Sequence, residues 1–128
     1  MMNRNTNFVG ASLVLTTESY AWADFPIPGH TGGLKAAFLN RDLRLGPIMA
    51  AMRMEPGARI PAHYHERTTE TFLVTEGEFI NAGVTYGPGT FFAVETGDVH
   101  GPHETRTGCT VIFVQAVEVD PTDFHLAE

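Results

Sequence analysis

Residues 57–77 read Gly57-Ala-Arg-Ile-Pro-Ala-His63-Tyr-His65-Glu-Arg-Thr-Thr-Glu70-Thr-Phe-Leu-Val-Thr-Glu-Gly77, and this stretch decides the fold. One residue separates His63 from His65. Side chains on a β-strand alternate between faces, so both imidazoles project the same way, about 6.6 Å apart along the strand. A metal–nitrogen bond spans about 2.1 Å, so two such rings can converge on one ion. Glu70 follows where the chain turns into the next strand, and its carboxylate can approach the same point. Further along, Gly97-Asp-Val-His100-Gly-Pro-His103-Glu104 supplies another histidine at the start of a strand-like segment. Three neutral imidazoles and one carboxylate make a ligand set for a divalent transition metal. A single histidine facing a core is ordinarily a hydrogen-bonded packing residue. The His-x-His pair together with Glu70 and His100 favours the metal.

The chain has 128 residues, 43% of them apolar, enough to bury one core. No linker or internal repeat divides it, so residues 1–128 are read as a single domain. Thirteen glycines, eight prolines and nine phenylalanines suit a turn-rich β-protein better than a helical bundle. The formal charge of −7 argues against a nucleic-acid surface, which needs clustered Lys and Arg. The lone Cys109 cannot form an internal disulfide. It sits in the apolar run Gly108-Cys109-Thr-Val-Ile-Phe-Val, where it is expected to be a small buried hydrophobe. A reducing cytoplasm is the expected compartment. Arg4, the apolar residues 8–15 and Ala21-Trp-Ala23 loosely imitate a secretion signal, but Gly10 and Ser12 interrupt the apolar part. An N-terminal strand is expected instead. No segment is long and apolar enough to span a membrane.

Residues 1–7 are polar and are expected to form an arm. Strands are expected over 8–15, 34–39, 47–54, 69–75, 77–84, 90–94 and 110–119, with a further strand bearing His100. Gly- and Pro-rich turns separate them, a pattern of all-β sandwiches and barrels. His30 lies among turn residues and is expected as an exposed loop histidine. Residues 120–128 are read as a short turn over the barrel or as a loose end.

The pattern Gly57-x5-His63-x-His65-x4-Glu70-x6-Gly77 resembles, position by position, the first motif of the cupin superfamily. The second motif, over 89–104, resembles Gly89-x5-Glu95-x-Gly97-x2-His100-x3-Glu104. It keeps both glycines and the histidine but has Glu95 for the usual proline and Glu104 for the usual asparagine. The resemblance implies an all-β double-stranded β-helix, the jelly-roll barrel. It also implies that His63, His65, Glu70 and His100 ligate a metal inside the barrel, and that the chain forms a homodimer. Glu-Thr-Phe-Leu after the histidine pair and Val-Glu-Thr-Gly-Asp-Val-His-Gly around His100 are similar to one group of small cupins. That group includes acetylacetone dioxygenase, 2,4'-dihydroxyacetophenone dioxygenase and the zinc-binding domain of certain anti-sigma factors. The likeness implies Fe(II), with Zn, Mn or Ni as alternatives, and a small carbonyl substrate with dioxygen as partners.

Four protein ligands on an octahedral ion leave two adjacent positions for a chelating substrate. Glu70 is a candidate proton acceptor as well as a ligand. Strand alternation would place Glu104 on the face of His100, as a partner to a ligand histidine or a general base, and would place His103 on the opposite, outer face. A solvated carboxylate is the alternative for Glu104. Glu70, Phe72 and Val74 share one face, and Met52 and Met54 share another with Arg53 opposite. Phe79, Phe91, Phe92 and Phe113 add apolar bulk. Arg59 is either a rim cation for a substrate carboxylate or a surface charge. Three functions compete: a C–C-cleaving Fe(II) dioxygenase, a non-catalytic zinc sensor or structural domain, and a non-redox metal-dependent isomerase or lyase.

Overall fold

A computed structural model of the chain describes residues 8–9, 12–40, 47–116 and 120–128. The arm expected over 1–7 lies outside the described residues, as does the end of the strand expected to run to 119.

The chain begins with a small hairpin of β1 (Phe8–Val9) and β2 (Ser12–Leu13), in place of the single strand expected over 8–15. A 3-10 turn at Thr17–Ser19 leads to β3 (Ala23–Asp24), β4 (Leu34–Phe38) and β5 (Ile48–Met54). Next come β6 (Arg59–Ile60), β7 (His63–Tyr64) and β8 (Glu70–Gly77). The stretch expected as one strand over 77–84 is divided into β9 (Phe79–Asn81) and β10 (Val84–Tyr86). Ala82 and Gly83 both take positive φ between them and close a two-residue hairpin. β11 (Phe91–Val94), β12 (His103–Glu104) and β13 (Cys109–Gln115) follow. A second 3-10 turn at Pro121–Asp123 precedes β14 (His125–Leu126).

The strands build a jelly-roll barrel, as expected for an all-β chain. One sheet is ordered β11-β8-β13-β5-β4-β3, the facing one β10-β9-β12-β6, and β14 pairs separately with β7. The core fills the space between the two larger sheets. Period-two alternation turns Phe72 and Val74 of β8, Met52 and Met54 of β5, and Val111 and Phe113 of β13 inward. Ile60 and Phe79 meet them from the facing sheet, with the Phe72 and Phe79 rings 5.6 Å apart. Cys109 is buried in this core, and burial pushes its thiol up to about 11, so it behaves as the inert hydrophobe its setting predicts. Phe91 departs from the expected bulk. Its place in β11 faces outward, 62% exposed, beside Leu73 of β8. Arg53 also faces out, its guanidinium 4.2 Å from the centre of the Trp22 ring.

Gly77 ends β8 where that strand crosses close to Gly108. A Cβ there would lie 2.1 Å from the Gly108 carbonyl oxygen, and φ is +78°, so no other residue fits. Gly77 pairs with Cys109 at this end of the β8–β13 ladder; a bulge between Thr110 and Val111 then shifts the register by one residue, so that Glu70 falls opposite Gln115 at the other end. No helix among the described residues is long and apolar enough to cross a membrane.

Candidate metal centre

β7 stops at Tyr64, so His63 and His65 do not share a regular strand. Their rings nevertheless stand 5.1 Å apart, and the His100 ring lies 4.1 Å from that of His63 and 5.4 Å from that of His65. Backbone pairing brings them together: His63 N donates to His100 O at 3.0 Å, and His100 N donates to His63 O at 2.9 Å. His100 is thus held by this isolated bridge and not by the longer strand expected around it. One donor atom from each of the three histidines lies within 4.8 Å of the others.

Each ring is oriented through its other nitrogen. His63 Nδ1 donates to Pro61 O at 2.7 Å, and His65 Nδ1 donates to Asp123 O at 2.7 Å. A carbonyl only accepts, so Nδ1 carries the proton and Nε2 presents its lone pair. His100 Nδ1 faces Asp98 O at 3.4 Å. The Nε2 atom of His65 is buried and has no hydrogen-bond partner, and that of His100 is buried with the Glu70 carboxylate 3.4 Å away. An unpaired buried polar atom costs about 1–3 kcal/mol. A cation accepting the imidazole lone pairs removes that cost, so the donor set fits a divalent metal. Burial, with His100 close by, pushes the His63 imidazole down to about 4, which keeps it neutral and ready to ligate near pH 7.

Glu70 opens β8 with Oε1 3.4 Å from His100 Nε2. Gln115, its cross-strand neighbour on β13, donates from Nε2 to Glu70 Oε2 at 2.6 Å. Burial opposes ionisation of Glu70, but His100 and Gln115 together outweigh it and hold the carboxyl below its ordinary range. The carboxylate therefore stands beside the His100 imidazole, at the edge of the three-histidine cluster. Gln115 escaped the sequence reading. Its only signal was its inward place at the end of an apolar strand, meaningful once the β8–β13 register is known.

His63, His65 and His103 line a cavity of about 130 Å³ whose walls are mostly apolar, with Phe25, Ile27, Met52, Phe72, Phe113 and Phe124 prominent. Among the described residues no Lys or Arg lines it, and the carboxylates there are Glu70, Asp120 and Asp123. The expected alternation after His100 is reversed. Gly101, at φ +88°, breaks the strand, so His103 turns inward and Glu104 outward. His103 is 5% exposed, its ring 5.3 Å from His100 and 5.1 Å from Phe79, and its Nδ1 has no hydrogen-bond partner. Burial holds its pKa well below the ordinary histidine value. Glu104 stands instead on the outer surface, 3.9 Å from Arg59, and does not line the cavity. Arg59 is engaged there as well, by Glu128 at 2.8 Å. His30 is half-buried, its Nδ1 shielded and without a hydrogen-bond partner, and it too lies off the cavity.

Solved structures share this architecture. The polyketide cyclase RemF from Streptomyces resistomycificus superposes with a TM-score of 0.73 at 16% identity, covering 100% of this chain and 87% of that one. An acetylacetone dioxygenase from Acinetobacter johnsonii gives 0.66 at 16% identity, covering 99% and 90%. The anti-sigma factor ChrR of Rhodobacter sphaeroides, in complex with SigE, gives 0.61 at 23% identity, covering 77% of this chain and 51% of that one. At these identities the likeness establishes the fold alone. No curated protein matches the chain. The family described as the ChrR cupin-like domain matches residues 11–120. With the barrel and its inward histidines in place, that match over most of the sequence assigns the chain to the cupins: it belongs to the ChrR cupin-like family.

Proposed function

We propose that the chain is a metal-dependent enzyme, a non-haem Fe(II) dioxygenase that cleaves a C–C bond in a small β-dicarbonyl or hydroxyketone. The observation that carries this reading is the convergence of the His63, His65 and His100 donor atoms beside a mostly apolar cavity lined by no Lys or Arg among the described residues. His63, His65, His100 and Glu70 are the ligands. When bound, the metal supplies Lewis acidity toward a chelating enolate and, as Fe(II), reactivity toward dioxygen. The chain's own residues do the rest. The phenylalanine walls exclude water and strengthen electrostatic interactions near the ligands. Glu70, kept ionised by Gln115, is placed to accept the proton lost on enolisation. His103 is the polar group left for a substrate oxygen, since its Nδ1 has no protein partner.

The charge pattern narrows the substrate class. Among the described residues no Lys or Arg lines the cavity, which leaves no protein cation there to pair with a sugar phosphate or a dicarboxylate. A 1,3-dicarbonyl brings at most one delocalised charge, and two oxygens suited to chelation. Acetylacetone is such a compound, and polyketide chains carry the same grouping, so two structural neighbours act on this chemistry.

A second reading is a non-catalytic metal sensor, favoured by the match to the ChrR cupin-like family and by the anti-sigma neighbour found with its sigma factor. A non-redox isomerase or lyase is the third. One experiment separates them: metal content of anaerobically purified protein, then oxygen uptake after Fe(II) reconstitution with a panel of small β-diketones. Near-stoichiometric iron and substrate-dependent oxygen uptake are expected. Tightly held zinc with no uptake under any reconstitution would replace this reading with the sensor. Diketone turnover by the zinc form without oxygen would replace it with the lyase.

A further inference from the structure

Asp123 is 4% exposed, an unusual place for an aspartate. Its carboxylate accepts from Glu66 N at 2.8 Å, Arg67 N at 3.1 Å and His125 Nε2 at 3.2 Å, and the Arg67 guanidinium lies 3.9 Å away. Its main-chain oxygen is the acceptor that orients His65. One residue thus fixes both the loop after His65 and the ring itself.

The neighbours of Asp123 continue the attachment. The Phe124 ring stacks on His63 at 4.0 Å with an interplanar angle of 20°. β14 pairs Leu126 with His63 and His125 with Tyr64, and the Tyr64 and His125 rings stack at 5.0 Å. Ala127 N donates to Ala62 O at 2.9 Å, and Glu128 accepts from Ala62 N at 2.8 Å while pairing with Arg59. At the other end Asp120 pairs with Arg67. Residues 120–128 therefore follow residues 59–67 along their whole length. They touch two of the three ring ligands and close one side of the cavity through Asp120, Pro121, Asp123 and Phe124. The family match ends at residue 120, where this segment begins.

We infer that residues 120–128 form a clasp that positions His63 and His65, with Asp123 and Phe124 as its positioning residues, so that metal retention depends on this segment staying docked. The inference rests on the metal-binding reading above. Phe124 packs partly against the core, whereas Leu126 at the far end of the clasp is half exposed and its backbone pairs with His63. Such a segment opens locally at a lower cost than the barrel unfolds. Opening would remove the acceptor from His65 Nδ1 and the stacked ring from His63 together.

The test uses the full chain loaded with Zn(II), with transfer of the ion to excess coloured chelator as the readout, and the Co(II) form for its visible absorption. Asp123→Ala is expected to release Zn(II) at least tenfold faster and to change the Co(II) spectrum, in keeping with the effect of partners that orient ligands. Phe124→Ala should act in the same direction, and Phe124→Leu should restore most of the retention. Val74→Ala removes core volume away from the clasp and should release metal within about threefold of wild type while lowering the melting temperature. Wild-type release from Asp123→Ala, or from Phe124→Ala should Asp123→Ala not fold, would overturn the inference. Equal acceleration by Val74→Ala would overturn it too, since release would then follow global unfolding. A wild-type chain that binds neither Zn(II) nor Co(II) would instead overturn the metal reading itself.

Discussion

The two stretches that bring imidazoles to the centre are held in different ways. His63 and His65 sit in a segment zipped on one side to residues 120–128, each ring fixed by a 2.7 Å bond to a carbonyl. His100 follows an exposed turn, with Asp98 O 3.4 Å from its Nδ1 and Glu70 3.4 Å from its Nε2. The difference teaches that two rings are fixed by short bonds to carbonyls, while the third is positioned through its backbone bridge to His63 and its ring is held more loosely. A rigid pair lowers the entropy lost on capturing the ion. The more loosely held His100 ring, next to the Glu70 carboxylate, is the adjustable side of the cluster.

Breaking the rigid pair should have the largest effect. His65→Ala is expected to lose most of the bound metal, measured as metal per chain after dialysis; stoichiometric metal in the variant would show that His65 is not a ligand. Next comes acid. His63 has its folded pKa pushed down to about 4, below the ordinary 6.5 of an unfolded chain. Between those values the unfolded state binds more protons, so the contribution to stability is complete above pH 6.5 and falls as pH drops toward 4. The loss for metal-free protein reaches about 3 kcal/mol. Urea midpoints of the metal-free form across that range check the sign; a flat profile would mean that the pocket does not desolvate His63.

The adjustable side is tested more gently. Gln115→Leu removes the bond that fixes Glu70, and should weaken metal affinity by about 10- to 100-fold, read by chelator competition. An unchanged affinity would mean that Glu70 contributes little as a ligand. Smallest is Glu104→Gln. With Glu104 on the outer surface, metal content and turnover should stay at wild type and stability should shift by less than about 0.5 kcal/mol. A clear loss of activity would return Glu104 to the site.

The sequence by itself determined much of this molecule. The first motif set His63, His65 and Glu70 in one short stretch, and all three line the same cavity although the strand between them is not regular. Period-two alternation placed Phe72 and Val74 inside, because a strand with one buried face has no other way to lie. What only the tertiary structure decided lies where local rules meet contacts distant in sequence. Gly101 at positive φ reversed the alternation, turning His103 inward and Glu104 outward. Gln115 became the partner of Glu70 through a β8–β13 register that a bulge after Thr110 shifts by one residue. Residues 120–128 held no pattern that announced a role, since their order comes from bonds to residues 59–67 far back in the chain. Side-chain spacing is a local property and can be read along a strand; which distant segment satisfies an exposed backbone or a buried ring is settled only when the sheets close.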